Sequence, residues 1–299
     1  MQQGVKSITS DVMARARQAR YRREMTATLQ PVGSLLREWR QRRRLSQLEL
    51  ACEAEISTRH LSFLETGRSQ PSREMIINLA ETLDIPLRER NALLLAAGYA
   101  PTYGERSLAD PALRIARKAV ELVLAGHEPY PALAIDRHWT MVSSNKAVPP
   151  LLKGVDPELL RPPANVLRLA LHPRGVAPRV ANYEEWRAHL LARLRRQIQT
   201  TADKPLADLM QEIAAYPVPS EAVAQVPAET SAFEEYAGVI GPLLLVTGEG
   251  RLNLFSTTTM FGTPVDITLS ELAIESFFPA DDATAAVFHA GSAWRSSET

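Results

Sequence analysis

The chain has 299 residues, which is long enough for two domains, and its 45% hydrophobic content is that of an ordinary soluble protein. No window approaches the roughly 18 uninterrupted apolar residues of a membrane helix, and no apolar segment follows the charged first residues, so neither a membrane span nor a leader peptide is predicted. The net charge of zero is uneven: residues 1–44 carry eleven Lys and Arg against three acidic residues, and the remainder is mildly acidic, a distribution typical of a protein of which one end approaches a polyanion.

The first thirty residues form a basic segment without apolar periodicity. It contains Arg15, Arg17, Arg20, Arg22 and Arg23. We expect a flexible arm over residues 1–30 that adds phosphate contacts or enters a minor groove. A solvated tail without DNA contacts is the alternative interpretation.

Residues 46–67 have the pattern of two short amphipathic helices joined by a tight turn. Ser46 and Ser57 are predicted N-caps, and Gly67 fits a helix stop. The apolar positions predicted to face one small core are Leu48, Ala51, Ile56, Leu61 and Leu64. The polar positions predicted to point outward are Gln47, Thr58, Arg59, His60 and Ser62. A donor-rich face of this size fits a major groove, so the pattern indicates a DNA-reading helix-turn-helix.

Helical spacing continues on both sides of this motif. Upstream it covers residues 32–39, and downstream it covers residues 76–83 and then residues 87–97 before Gly98. Five helices within residues 31–103 predict an all-α domain that can fold by itself. Cys52 is the only cysteine of the chain, which excludes an internal disulfide; we interpret it as small packing material in a cytoplasmic protein.

The runs Ser-Gln-Leu-Glu-Leu-Ala from Ser46 and Ile-Ser-Thr-Arg-His-Leu-Ser-Phe-Leu-Glu-Thr-Gly-Arg-Ser-Gln-Pro-Ser from Ile56 resemble the DNA-binding domain of the XRE-type repressors related to phage lambda repressor and Cro. The resemblance covers residues 32–99. It implies that Gln47 donates to a DNA phosphate and braces the recognition helix, which opens at Ser57. It also implies a structural pair between Arg40 and Glu65.

The same resemblance implies a set of DNA contacts. Base edges would be read by Thr58, Arg59, His60 and Ser62, and the far DNA backbone would be touched by Arg68 with Ser69. Ser57, at the start of the recognition helix, is also included among the predicted DNA-binding residues. We rank Arg59 first for specificity, because an arginine can make two parallel hydrogen bonds to a guanine edge. A generic helical hairpin in a protein-binding module is the alternative.

Residues 104–126 are predicted to be a linker followed by a connecting helix. The stretch 101–110 is polar and rich in turn formers, and a helix over residues 111–125 follows. Its apolar positions Leu113, Ala116, Val120 and Val123 lie on one side, and this stripe could form a dimer seam.

Residues 127–290 are predicted to form an α+β domain, with a tail over 291–299. Two strands are expected at 133–136 and 139–144, then helices near 145–152, 166–171, 183–198 and 206–215, then strands at 239–247, 252–259 and 269–278. Asn182 is the expected cap of the third helix, and the carboxylates at 281 and 282 are expected to cap a further helix. This order predicts an antiparallel sheet with helices covering one face, as in a PAS domain.

The segments 133–152, 165–197 and above all 262–282 resemble the ligand-binding domain of MmyB-like transcription regulators. The resemblance covers about residues 110–289. It implies a bacterial regulator in which a PAS-like domain holds a small molecule.

An apolar cavity between this sheet and its helices would suit an elongated apolar ligand with one polar end, such as a fatty acid. The candidate apolar lining residues are Leu133, Ile135, Met141, Trp186, Leu190, Leu245, Phe255, Met260 and Phe261. The candidate partners for a carboxylate are Arg168, Arg137 and His172. The alternative is that every apolar residue in this set is ordinary core.

The sequence carries no enzymatic signature. Its six histidines have no metal-ligand spacing, and neither a phosphate-binding loop nor a nucleophile elbow is present. We therefore predict no catalytic residues, no metal and no cofactor other than a bound fatty acid or similar effector. The predicted protein is a homodimeric regulator that binds double-stranded operator DNA and responds to an apolar ligand. A ligand-independent dimeric repressor, with a second domain that dimerises or docks a protein, is the alternative.

Overall fold

The computed structural model describes residues 30–106, 108, 110–219, 242–261 and 266–290. The predicted basic arm before residue 30 and the tail after residue 290 lie outside these residues. The chain divides into two compact units, Met1–Tyr103 and Gly104–Thr299.

The described part of the first unit is built from five helices, which confirms the predicted all-α fold. They are α1 (Val32–Arg42), α2 (Gln47–Glu53), α3 (Thr58–Glu65), α4 (Arg73–Thr82) and α5 (Leu87–Ala96). Serines begin three of them. Ser46 and Glu49 form a reciprocal capping box on α2, and the side chains of Ser57 and Ser72 accept backbone hydrogen bonds from the first turns of α3 and α4. These caps satisfy donors that have no partner inside a helix.

The core of this unit takes buried side chains from all five helices. Leu36, Leu61 and Leu94 are fully buried. Gly33 permits the close approach of α1 to α3, because a Cβ at this position would lie 2.2 Å from the carbonyl oxygen of Leu64. Any larger residue at position 33 would therefore separate the two helices.

Two predictions for α2 are wrong. Leu48, expected in the core, is 68% exposed, and Cys52, expected to be packing material, is also exposed. The buried side of α2 is formed by Leu50, Ala51 and Ala54. Leu48 and Cys52 each lie two positions from Leu50, about 200° around the helix, and so point away from the core.

The second unit is an α+β domain, as predicted. Its elements in chain order are a 3-10 turn (Pro111–Leu113), α6 (Arg114–Gly126), β1 (Ala132–Ile135), β2 (Met141–Ser144), α7 (Val148–Leu151), α8 (Pro157–Leu160), α9 (Val166–Leu171), a second 3-10 turn (Ala177–Arg179), α10 (Tyr183–Thr201), α11 (Lys204–Ala214), β3 (Leu243–Thr247), β4 (Gly250–Met260), α12 (Ile267–Ser270), β5 (Ala273–Pro279) and α13 (Asp282–Ala290).

The five described strands form one antiparallel sheet in the order β2-β1-β5-β4-β3. Alternation along β1 separates two layers. Leu133 and Ile135 belong to the large core beneath α9, α10 and α11, whereas Ala132 and Ala134 pack with Val120 of α6 on the other face. Helices therefore contact both faces, not only one as expected.

The orientation of α6 differs from the prediction. Of the four positions proposed as a dimer seam, Leu113 and Val120 are buried inside the unit, and Ala116 is half-buried. The large apolar side chains that α6 exposes are Ile115, Leu122 and Val123, which are 80%, 63% and 46% accessible. Apolar residues occur on two sides of α6, and packing against the sheet buries one of these sides and leaves the other exposed.

Two capping predictions have different outcomes. Asn182 precedes α10 but makes no cap hydrogen bond; its side-chain oxygen instead accepts from the backbone N–H of Leu244 at 3.0 Å. Asp281 does act as a cap, because its carboxylate accepts from the backbone N–H of Thr284 at 2.7 Å. The Asn182 side chain thus binds the backbone of β3 instead of capping α10 as the local sequence predicts.

Candidate DNA-reading surface and ligand pocket

The outer side of α3 carries the side chains predicted to read DNA. Leu61 and Leu64 face the core, while Arg59 is exposed and Ser62 is half-buried. Thr58 and His60 are also half-buried at the beginning of the helix. Polar side chains on an otherwise well-packed helix leave donors available to a duplex.

Phe63, an aromatic residue that the sequence analysis did not select, packs against two arginines that are predicted to contact DNA. The guanidinium carbons of Arg59 and Arg68 lie 5.3 and 5.9 Å from the ring centroid of Phe63. The backbone N–H groups of Arg68 and Ser69 both donate to the carbonyl oxygen of Phe63. The loop after α3 is thereby held beside the helix, and Phe63 provides one surface for both arginines. Its spacing four residues after Arg59 is the signal that could have identified it.

Arg40, Gln47 and Glu65 connect three helices through one carboxylate. Arg40 donates to the two oxygens of Glu65 at 2.6 and 2.9 Å, and the Gln47 amide donates to Glu65 at 2.8 Å. Burial raises the pKa of Glu65, but hydrogen bonds from Arg40 and Gln47 and the charge of Arg40 outweigh this and lower it. The carboxylate is therefore ionised at neutral pH and fixes α3 against α1 and α2.

Two predicted DNA contacts have intramolecular partners. The Ser57 hydroxyl oxygen accepts from the backbone N–H of His60 at 3.1 Å, and Gln47 is bound to Glu65. Each group keeps further hydrogen-bonding capacity, since a hydroxyl can also donate and an amide nitrogen has two hydrogens.

A cavity of about 100 Å³ lies in the second unit between the sheet and the helices that cover it. Its apolar lining comes from β1, β2, β3, α7, α9 and α10 and includes Leu133, Trp139, Met141, Val148, Leu151, Leu152, Val166, Leu167, Leu169, Ala170, Val176, Trp186, Leu190, Leu243 and Leu245. Such a lining favours an apolar guest. The volume is smaller than the range of about 300–1,000 Å³ usual for ligand pockets.

The structure divides the predicted lining residues. Those that line the cavity are Leu133, Met141, Trp186, Leu190 and Leu245. Those that do not are Ile135, Phe255, Met260, Phe261, Arg168 and His172. Ile135 is buried in the same core, whereas Met260 is 59% exposed near the end of β4.

Phe255 and Phe261 lie away from the cavity because of strand alternation and strand ends. Phe255 stacks on Phe278 at a centroid distance of 5.3 Å, on the sheet face opposite to Leu254. Phe261 follows β4 and packs against the cluster that contains Val120 and Ile274. A one-residue change in position along a strand moves a side chain to the other face.

The three predicted carboxylate partners are already occupied. Arg168 makes a two-point ion pair with Glu212 at 2.8 and 2.6 Å, and Arg137 lies 3.3 Å from Asp203. His172 packs edge-on against Tyr216, and burial lowers its pKa, with a further contribution from Arg174. Arg168 thus links α9 to α11. None of the three candidate carboxylate partners, Arg168, Arg137 and His172, lines the cavity.

Arg193 and Glu275 are the charged lining residues that sequence reasoning missed. Among the described residues that line the cavity, these two alone are charged. Arg193 donates to the two oxygens of Glu275 at 2.7 and 2.9 Å, and its guanidinium carbon lies 4.9 Å from the Trp139 ring centroid. The alternation of β5, which puts Glu275 on the same face as Ala273 and Phe277, is the signal that could have located it.

The described residues contain no group of three or more His, Cys, Asp or Glu side chains that could hold a metal ion. Within the same ranges, no helix has the length and apolar character needed to cross a bilayer.

Comparison with known families gives two matches. Residues 116–290 match the MmyB-like transcription regulator ligand binding domain, and residues 36–90 match a helix-turn-helix family. Neither match is to an enzyme family. No curated protein matches the chain. The first match spans α6 to α13 and contains the cavity; the second contains α3.

Proposed function

We propose that this chain, which belongs to the MmyB-like transcription regulator family, binds a specific operator through α3 and that an elongated apolar effector in the cavity changes this binding. The chain is a DNA-binding regulator with a ligand-binding domain; the effector class, the residue roles and the response are the proposal. The observation that carries the effector is the apolar cavity beneath the sheet. We place its action in the cytoplasm, where an operator is accessible.

The proposed division of labour on DNA follows from geometry. Arg59 is exposed in the first turn of α3 and is assigned to a base edge, while Arg68 and Ser69 in the following loop are assigned to phosphates. A side chain on a helix in the major groove reaches bases, whereas loop residues at its end reach the DNA backbone.

The proposed effector resembles a fatty acid in having an extended acyl chain and one polar end. The lining favours hydrocarbon, and Trp186 and Leu190 of α10 face Leu133 and Leu245 of the sheet across the cavity. Because the volume is about 100 Å³, a long chain requires the lining to open. Opening between α10 and the sheet is therefore the movement that we assign to the effector.

We propose that the regulator acts as a homodimer. One recognition helix reads only a few base pairs, and a twofold protein on a pseudo-palindrome doubles the contacts. The exposed apolar side chains of α6, Ile115, Leu122 and Val123, are the surface that we assign to the second copy. Their clustering on one side of a helix supports this choice.

The alternative is a ligand-independent dimeric repressor. The small cavity volume favours this ligand-independent repressor, because a domain that binds no ligand does not require a larger pocket. In this case the second unit would serve dimerisation or protein docking, and added lipids would leave operator affinity unchanged.

The experiment selects an operator from a randomised DNA library and then measures its affinity with and without decanoic acid, 1-decanol and a bacterial lipid extract. The proposal expects a specific operator and a change in affinity with at least one addition. The matched variant is Ala170→Leu, which fills the cavity; it should lose the response but keep operator binding. Specific DNA binding that no addition alters, with no small molecule retained in native mass spectrometry, would favour the alternative.

A further inference from the structure

The polar part of the cavity is one closed ion pair. The side chains of Arg193 and Glu275 are 17% and 6% exposed. Thr258 completes the arrangement, since its hydroxyl oxygen accepts from Arg193 at 2.8 Å and its hydroxyl donates to Glu275 at 3.0 Å. The two charges cancel, so this end of the cavity offers hydrogen bonds without net charge.

We propose that this pair makes the cavity selective for effectors whose polar end is uncharged, such as an alcohol, an ester or an amide, and against free carboxylates. The inference rests on the proposed function and narrows its effector class. A carboxylate beside the pair would meet the carboxylate of Glu275 as well as the guanidinium of Arg193. It would have to lose its hydration for no net attraction, or displace Glu275 and leave that buried charge without its partner.

A neutral head group meets no such penalty. Three guanidinium N–H groups are used by Glu275 and Thr258, out of five in the side chain. Each carboxylate oxygen can accept more than one hydrogen bond, and Oε1 accepts one here. A hydroxyl or amide can therefore accept from Arg193 and donate to Glu275 without opening the pair.

The position of Glu275 in the sheet makes it the selective member of the pair. It lies in β5 between β1 and β4, opposite Leu133 on one side and Thr258 on the other. A central strand holds its side chain in place, whereas Arg193 is carried by a long flexible stem from α10. Removal of the Glu275 charge should leave a guanidinium over Trp139 that can receive a carboxylate.

The test compares 1-decanol, methyl decanoate and decanoate at pH 8, measured by calorimetry on the full chain and on Glu275→Gln. We expect the unchanged protein to bind the two neutral probes about tenfold or more tightly than decanoate. The reason is that the decanoate carboxylate meets the carboxylate of Glu275 without a compensating charge. Glu275→Gln should raise decanoate affinity about tenfold and change 1-decanol affinity by less than about threefold.

Two further variants separate the explanations. Glu249→Gln removes the same charge from the exposed turn between β3 and β4 and should leave the order of probes unchanged. The double variant, Arg193→Met with Glu275→Gln, removes both charges. It should still bind 1-decanol and should not gain affinity for decanoate. Because it leaves no unpaired buried charge, it also tests the inference if Glu275→Gln alone folds poorly. Tighter binding of decanoate than of the neutral probes to the unchanged protein would overturn the inference alone. If no probe binds any of these proteins, both the inference and the proposed effector site are overturned.

Discussion

Arg40 in α1 and Glu65 at the C-terminal end of α3 are joined by two hydrogen bonds of 2.6 and 2.9 Å. Their side chains are 10% and 2% exposed, and Gln47 adds a third contact from α2. The recognition helix is therefore fixed by polar contacts at its end and by Leu61 and Leu64 along its length. For the proposed contact of Arg59 with DNA, a fixed helix would hold the side chain in one orientation and lower the ordering cost of binding.

Glu65→Gln should destabilise the first unit by about 3–5 kcal/mol, because it leaves Arg40 without its partner. It should also flatten the acid side of the stability curve. The pKa of Glu65 is lowered by folding, so its stabilisation is present above the usual glutamate pKa of about 4.3 and is lost as the pH falls through the lower folded value. Chemical denaturation of the unchanged protein and of Glu65→Gln between pH 3 and 7 measures both effects. Exposed Glu53→Gln is the control, and equal curves for all three proteins would contradict the prediction.

Arg59→Ala should weaken operator binding by about 1–3 kcal/mol and relax the preference at one base pair, because it removes a two-point contact with a base edge. Binding to a randomised operator library measures the preference at each position. An unaltered base profile, whatever the change in affinity, would contradict the assignment of Arg59 to a base.

Arg68→Ala should weaken binding to all sequences by a similar factor, since a phosphate contact carries no base information. The slope of log affinity against log salt concentration should fall by about one. Fluorescence anisotropy with an operator and a scrambled duplex, over a series of salt concentrations, measures both quantities. A loss confined to the operator would instead make Arg68 a specificity residue.

Leu122→Glu should convert the proposed homodimer into monomers and reduce operator affinity, because it puts a charge into an apolar contact. Val218→Glu is the control: it adds the same charge at an exposed apolar position that follows α11, away from the α6 stripe of Ile115, Leu122 and Val123. Light scattering coupled to size exclusion gives the mass of each. Dissociation by both variants, or by neither, would exclude this stripe as the interface.

Local order along the chain was predictable wherever neighbouring residues decide it. Ser46 and Ser57 precede their helices and cap them, and the helical spacing around Leu61 and Leu64 places them in the core. These features depend on hydrogen bonds and periodicity within a few residues, which the sequence displays directly. The same logic fails at Leu48, because α2 is too short for its apolar pattern to define one face.

The cavity shows where local reasoning ends. The sequence analysis selected Arg168 and Arg137 and passed over Arg193, yet of these three only Arg193 lines the cavity, while Glu212 and Asp203 pair with the other two. The partner of Arg193 is 82 residues away in the chain. Pairs at such separations depend on which strands become neighbours and which face each side chain takes.

The amino-acid sequence by itself determined that a five-helix DNA-reading unit precedes a ligand-binding α+β unit, since spacing, caps and family resemblance are properties of the linear chain. Tertiary structure alone decided that α6 covers the sheet with Val120 and leaves Leu122 outside, and that Glu275 meets Arg193 at the cavity. The physical reason is that burial and charge pairing are settled by contact in space, and contact between distant segments exists only once the sheet has formed.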